Sequence, residues 1–156
     1  MISLEPMGQP AFEKYMAESI PAFARDKVAS GQWSEDSALE LSRQGFEALL
    51  PEGLATHDNH LFEIHVSGEP DAIGMLWFAV QERAGQRIAY VYDVMIHPRH
   101  QRMGHGTRTF SALEERARAL GLAGIALHVF GHNPEAHNLY VRLGFKPTNI
   151  SMFKPL

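Results

Sequence analysis

The stretch that decides the fold is Val94-Met95-Ile96-His97-Pro98-Arg99-His100-Gln101-Arg102-Met103-Gly104-His105-Gly106-Thr107. The apolar residues at its start are typical of a strand, which is predicted to end at His97 because Pro98 follows. A helix is predicted to open near Gly104. The connection between strand and helix carries the pattern Gln-x-x-Gly-x-Gly, at Gln101, Gly104 and Gly106.

A glycine-rich turn that opens a helix is suited to hold an anion. The first N–H groups of a helix have no internal partner, and the helix dipole places partial positive charge there. Glycine lets a ligand approach the backbone closely and permits positive φ angles. The pattern therefore predicts a cradle for a pyrophosphate. It lacks the Gly-Lys-Ser/Thr of a nucleoside triphosphate loop and the third glycine of a dinucleotide fold.

Working outward from this stretch, hydrophobic periodicity and turn residues predict four helices and five extended segments. Pro21 lies inside the first helical pattern, so a kink or two shorter helices are expected there. Ala84-Gly85-Gln86 is the tight connection of a predicted hairpin. No linker or repeat interrupts the order, which predicts one mixed α/β domain over residues 1–156. The predicted helices cover residues 10–28, 35–50, 104–120 and 134–143, and the extended segments cover 60–67, 72–83, 87–97, 125–130 and 145 onward.

The composition sets limits on function. The chain has 156 residues, 45% of them hydrophobic and 21% charged, which is typical of one soluble folded domain. A net charge of −4 argues against binding nucleic acid through a general basic surface. The absence of cysteine excludes disulfides, thiolate metal sites and a cysteine nucleophile. No apolar run is long enough to span a membrane, and the first ten residues lack the features of a signal peptide, so a cytoplasmic location is expected.

A second motif lies downstream of the glycine-rich turn. It consists of Asn133, Ala136, Leu139, Tyr140, Leu143, Gly144 and Phe145. Together the two motifs resemble those of the GNAT family of N-acetyltransferases, over about residues 60–156, although the first position is Gln101 where arginine is commoner. The resemblance implies a GNAT-like mixed sheet flanked by helices. It also implies an acetyl-coenzyme A core over residues 60–156, with helices on the substrate side within residues 1–59.

The resemblance also implies where acetyl-coenzyme A would bind. Backbone N–H groups after Gln101 would hold the pyrophosphate, and the Thr107 hydroxyl could add a bond. The pantetheine arm would pair with the third strand at Val94 and Ile96. Asn133 would contact the pantetheine, or it would simply cap the helix that begins at Pro134. The residues implied for the pyrophosphate are Arg102, Met103, Gly104, His105, Gly106 and Thr107.

Acetyl transfer to a primary amine, by direct attack in a ternary complex, requires a neutral amine, an oxyanion donor and a proton for the leaving thiolate. The resemblance implies that a backbone N–H near Val94 or Met95 donates to the oxyanion and that Tyr140 supplies the proton for the leaving thiolate. The base is open between His128, on the strand beside the acetyl site, and Asp93. Asp93 could instead attract a cationic amine or pair with an arginine such as Arg87. A water chain without a single base is a further alternative.

Several partners and rival functions stay open. The acceptor is a small-molecule or peptide amine, whose pocket would be formed by the first helices and by aromatic residues such as Trp77, Phe78 and Tyr92. Trp77 and Phe78 should point to opposite faces of their strand. A non-catalytic acyl-coenzyme A sensor and a purely structural module are the rival classes, and a homodimer is compatible with either. His128, His132 and His137 lack supporting ligands, so no metal is expected.

Overall fold

A five-stranded sheet organises the protein, seen here in a computed structural model that describes residues Met1 to Leu156. The strands lie in the order β1-β2-β3-β4-β5; neighbours from β1 to β4 are antiparallel, and β5 is parallel to β4. The mixed α/β class expected from the sequence is confirmed. The strands are β1 (Ile2–Pro6), β2 (Asn59–Val66), β3 (Gly74–Arg83), β4 (Gln86–Ile96) and β5 (Ile125–Leu127).

Four helices flank the sheet, and none is long and apolar enough to cross a bilayer. The first continues through Pro21 as one helix, so the alternative of two shorter helices is wrong. Ser42 of the second helix is fully buried, and its hydroxyl donates to the Ile20 carbonyl at 2.7 Å, which ties the two helices together beside the proline. The helices are α1 (Gln9–Ala29), α2 (Glu35–Leu49), α3 (His105–Ala119) and α4 (Pro134–Arg142).

The predicted hairpin between β3 and β4 is confirmed. Its two connecting residues, Ala84 and Gly85, have φ angles of 49° and 79°. Positive φ at both central residues is what a two-residue turn needs if it is to match the twist of the flanking strands. The hairpin fixes the register of β4, the strand that ends at the glycine-rich turn.

The sheet separates two apolar cores. Phe78 lies in the core that α3 covers, together with Phe110 and Leu113. Trp77 lies in the other core, where it packs with Tyr15 of α1 and Phe46 of α2. The predicted opposite orientation of Trp77 and Phe78 is confirmed. Both side chains are at most 2% exposed, however, so neither lines an open amine pocket as the sequence had suggested.

Three local predictions are wrong. Residues 1–59 are not helices alone, because Ile2–Pro6 forms an edge strand on β2, with Leu4 opposite Ile64. No strand forms after Gly144; this segment is tied back by a 2.9 Å bond from the Phe145 N–H to the Tyr140 carbonyl. β5 ends at Leu127, so His128 lies in the following loop rather than on a strand.

Candidate active site

A gap opens between β4 and β5 towards their carboxyl ends. The two strands pair only where Ala89–Val91 faces Ile125–Leu127, whereas β4 continues to Ile96. On the side facing β5, the backbone of residues 92–96 therefore has no strand partner. A long thin ligand could pair with these free groups as an added strand does.

A β-bulge lies in β4 beside this gap. Trp77 is opposite Asp93 and Phe78 is opposite Val91, which leaves Tyr92 as the extra residue. Tyr92 stacks on Trp77 at 4.7 Å, and the Asp93 carboxyl faces α1 as well. Two successive side chains thus lie on one face, which regular alternation forbids. The bulge was not predicted, because nothing in the local sequence marks it.

Asp93 of β4 faces α1. The Tyr15 hydroxyl donates to Asp93 Oδ2 at 2.8 Å, so the aspartate pairs with this tyrosine and not with Arg87. Burial raises the pKa of the Asp93 carboxyl and the charge of Asp26 adds to this, whereas the Tyr15 hydroxyl and the Val94 N–H lower it. The residue keeps partial solvent exposure although protein surrounds its carboxyl. Such a carboxylate is a stronger base than an exposed one.

Tyr15 is a site residue that sequence reasoning missed. It lies 78 positions before Asp93, and only the packing of α1 on the sheet brings the two together. In the sequence, Tyr15 is one more apolar residue at helical spacing in α1. No local signal could have distinguished it from a core aromatic.

The glycine-rich turn presents a continuous set of free donors. The six backbone N–H groups from Arg102 to Thr107 donate to no acceptor in the protein, whereas the Gln101 and Arg108 N–H groups on either side do. Arg102 and Gly104 have φ angles of 61° and 78°, so two left-handed residues turn the chain into α3. Free N–H groups at the start of a helix fit a phosphate anion.

Side chains hold this turn in place. Gln101 Nε2 donates to the Ile96 carbonyl at 2.8 Å, which fastens the turn to the end of β4. Since that carbonyl already has a partner, strand-like pairing with a ligand is left chiefly to Val94. Arg108 Nη2 donates to the Met103 carbonyl at 2.7 Å, and Arg102 forms an exposed ion pair with Glu135 of α4.

The side chains of the turn itself point in different directions. Met103 is 57% exposed, and Thr107 is also exposed, with a hydroxyl free of protein partners. His105 is buried, and its Nδ1 lies 3.0 Å from Arg108 Nη2. Burial and then the Arg108 charge lower the pKa of this imidazole. A Cβ at Gly106 would lie only 3.2 Å from Leu139 of α4, so the turn and α4 approach closely here.

α4 carries the second motif. Asn133 Oδ1 accepts from the Ala136 N–H at 3.3 Å, so the capping role is the one that the contacts support. The Tyr140 ring packs edge-on against Phe110 at 5.5 Å and Phe145 at 5.7 Å. Burial raises the pKa of the Tyr140 hydroxyl, and the negative charge of Asp93 raises it further. Tyr140 and Asp93 are therefore within electrostatic reach of each other.

Two of the nine histidines, His128 and His132, lie in the loop after β5. His128 is exposed in the loop after β5, with its ring edge-on to Phe130 at 5.1 Å. Partial burial of the ring and the charge of Lys27 lower the pKa of His128. His132 Nε2 lies 3.1 Å from Asp26 Oδ1 of α1. No three histidine, cysteine, aspartate or glutamate side chains converge on a point that could hold a metal ion.

The sequence of this chain is similar to those of known and named N-acetyltransferases. A model of the Acetyltransferase (GNAT) family matches residues 25–145. YycN of Bacillus subtilis, named an uncharacterized N-acetyltransferase, is 35% identical over 155 residues, which cover 99% of each chain. YdgE of the same organism, named likewise, is 34% identical over 154 residues, with 99% of this chain and 98% of YdgE covered.

Solved structures show the same architecture. The crystal structure of YycN superimposes with a TM-score of 0.94 at 35% identity, covering 100% of this chain and 99% of YycN. AAC(6')-Iy, solved in complex with the bisubstrate analog CoA-S-monomethyl-acetylneamine, gives a TM-score of 0.62 at 15% identity. The superposition covers 100% of this chain and 98% of AAC(6')-Iy. At this identity the likeness concerns the fold alone.

Proposed function

The chain belongs to the GNAT acetyltransferase family, and from that premise we propose that it transfers an acetyl group from acetyl-coenzyme A to a primary amine by direct attack in a ternary complex. The observation that carries this proposal is the row of free N–H groups from Arg102 to Thr107, beside the gap between β4 and β5. A diphosphate satisfies several such donors at once, and the thin pantetheine arm fits along an unpaired strand. A protein of the same fold binds a coenzyme A bisubstrate analog, which supports this cosubstrate.

Asp93 is assigned the role of base in preference to His128. Its carboxyl is buried between β4 and α1, whereas His128 is exposed in the loop after β5. A buried carboxylate attracts the ammonium form of the substrate and, because burial raises the pKa of Asp93, takes up its proton more readily. The neutral amine that results is the nucleophile.

Tyr140 is assigned the role of acid. The amine attacks the thioester carbonyl, the C–N bond forms, and a backbone N–H near Val94 or Met95 stabilises the oxyanion. As the C–S bond breaks, the Tyr140 hydroxyl protonates the departing thiolate, and the phenolate that remains takes the surplus proton from the acetylated nitrogen. Because the pKa of Tyr140 is raised, the hydroxyl carries its proton when the reaction begins.

The two roles are coupled by charge. Ionised Asp93 raises the pKa of Tyr140. Once Asp93 has accepted a proton from the amine, its negative charge is lost and Tyr140 becomes the stronger acid. Proton uptake at one residue therefore favours proton release at the other, in the order that the reaction needs.

The test combines two measurements on the purified protein. Calorimetric titration with coenzyme A should give saturable binding, and release of free thiol from acetyl-coenzyme A should depend on an amine drawn from a panel of peptides, polyamines and small metabolites. Binding without thiol release on any amine would indicate a sensor instead. No binding at all would refute the proposal.

A matched pair of variants tests whether coenzyme A binds at the glycine-rich turn. Gly104→Glu places bulk and negative charge at the turn and should abolish coenzyme A binding. Gly121→Glu makes the same change at the other end of α3, where φ is also positive, at 72°, and nothing lies within 4 Å. Equal loss of affinity in both variants, or in neither, would contradict the assignment of the turn.

A further inference from the structure

The contact between α1 and β4 extends the proposed function, on which it rests, to a residue outside both motifs. The Tyr15 hydroxyl and the Asp93 carboxyl are 2.8 Å apart, and the tyrosine is 6% exposed. We infer that Tyr15 is a positioning residue that holds Asp93 in the orientation needed to accept a proton from the substrate amine.

The Tyr15 ring is fixed independently of its hydroxyl. It packs edge-on against Phe46 at 6.4 Å and against Trp77 at 6.5 Å, so α2 and β3 enclose it. A ring held on two sides presents its hydroxyl in one direction, which is towards the bulge of β4. The hydroxyl is therefore a rigid donor, and little entropy is lost when it orients a carboxylate.

The arrangement leaves half of the carboxylate free. The Tyr15 hydroxyl donates to Oδ2, and no other side chain donates to the carboxylate. The Val94 N–H also favours the charged form of Asp93. An ionised carboxylate can accept at both oxygens, so Oδ1 remains available to an ammonium group.

The other charged groups near Asp93 act differently. Asp26, also on α1, repels the ionised carboxylate, and Tyr140 of α4 is a neutral hydroxyl at ordinary pH. The charge of Lys27, further along α1, lowers the pKa of His128 in the loop after β5. Tyr15 is thus the side chain that donates directly to Asp93 and favours its ionised form.

The test is the pH dependence of kcat/KM for the full chain with its best amine. In Tyr15→Phe the ring contacts remain but the donor is lost, so Asp93 becomes harder to ionise. The acid limb of the profile should move to higher pH by about one pH unit, as expected for loss of a hydrogen bond to a charged group. Tyr90→Phe removes a β4 hydroxyl that bonds no carboxylate and should leave the limb in place.

A second variant reverses the sign of the effect. Incorporation of 3-fluorotyrosine at position 15 keeps the ring and makes the hydroxyl a stronger donor, so the acid limb should move to lower pH. Shifts in opposite directions support the inference, and this arm stands even if the phenylalanine variant folds poorly.

Three outcomes would overturn the inference while the wild type remains active. They are profiles that superimpose on wild type, a loss of kcat with no movement of the limb, and an acid limb that persists in Asp93→Asn. Failure of the wild type to release thiol with any amine would instead refute the proposed function itself.

Discussion

Replacing Gly74 of β3 by alanine should displace the end of β4, the strand that leads into the glycine-rich turn. Gly74 pairs with Ile96 at the end of β4, and a Cβ at this position would lie 2.0 Å from the Met95 carbonyl oxygen and 3.1 Å from the Ile96 Cα. Ordinary contacts between such atoms begin near 3.5 Å, so β3 and β4 would have to separate by roughly 1.5 Å. Overpacking of this kind costs about 1–3 kcal/mol. For a domain of this size that corresponds to a fall in Tm of roughly 3–10 °C.

The displacement should also weaken binding of the cosubstrate. The Ile96 carbonyl holds the Gln101 side chain, so movement of the end of β4 moves the glycine-rich turn. Calorimetric titration should therefore show weaker binding of coenzyme A to Gly74→Ala. Gly45→Ala is the control, because Gly45 lies inside α2 with nothing within 4 Å of its added Cβ. That variant should gain about 0.5–1 kcal/mol from the better helix propensity of alanine. A Gly74→Ala protein with the Tm and coenzyme A affinity of wild type would refute the reasoning.

Three further substitutions test separate parts of the account. Tyr140→Phe should lower kcat by roughly 10²-fold or more while calorimetry shows nearly unchanged coenzyme A affinity; unchanged kcat would remove it as the acid. Asp93→Asn should abolish most activity yet stabilise the fold in chemical denaturation near neutral pH. Because burial raises the pKa of Asp93 in the folded protein, ionisation of this carboxyl lowers the stability of the wild type at pH values above its unfolded-state pKa. The stability gained by Asp93→Asn should therefore vanish below about pH 3. Ser42→Ala should cost about 0.5–1.5 kcal/mol in the same assay, since it leaves the Ile20 carbonyl without its 2.7 Å partner; no loss would show that bond to be unimportant.

Features set by local chemistry could be predicted from the sequence. The hairpin follows from the short Ala84-Gly85-Gln86 connection between two strand patterns, and Gly85 supplies a positive φ of 79° without steric cost. The free N–H groups near Gly104 follow from the pattern of glycines at the start of a helix. The second motif also singled out Tyr140, which is the proposed acid.

Features set by distant packing could not be predicted. β1 is short and polar at several positions, and only its pairing with β2 makes it a strand. The bulge at Tyr92 depends on the register between β3 and β4, which sequence alternation does not encode. The bond between Tyr15 and Asp93 joins residues 78 positions apart, so the partner of the proposed base was visible only after folding.

Proline inside a helix illustrates the same limit. Pro21 was expected to kink α1 or divide it into two shorter helices, because proline removes one backbone donor and crowds the preceding turn. The helix nevertheless continues from Gln9 to Ala29. Buried contacts along α1, including those of Phe12 and Tyr15, stabilise the single helix against this local cost.

The most direct measurement of the central claim is an amide NMR titration of the isotopically labelled protein with coenzyme A. The account predicts that the largest shifts belong to the N–H groups of Arg102 to Thr107, which have no acceptor in the protein alone. Smaller shifts should follow at residues 92–96 of β4. Saturable binding that left the Arg102–Thr107 resonances unmoved, with the shifts clustered elsewhere, would contradict it.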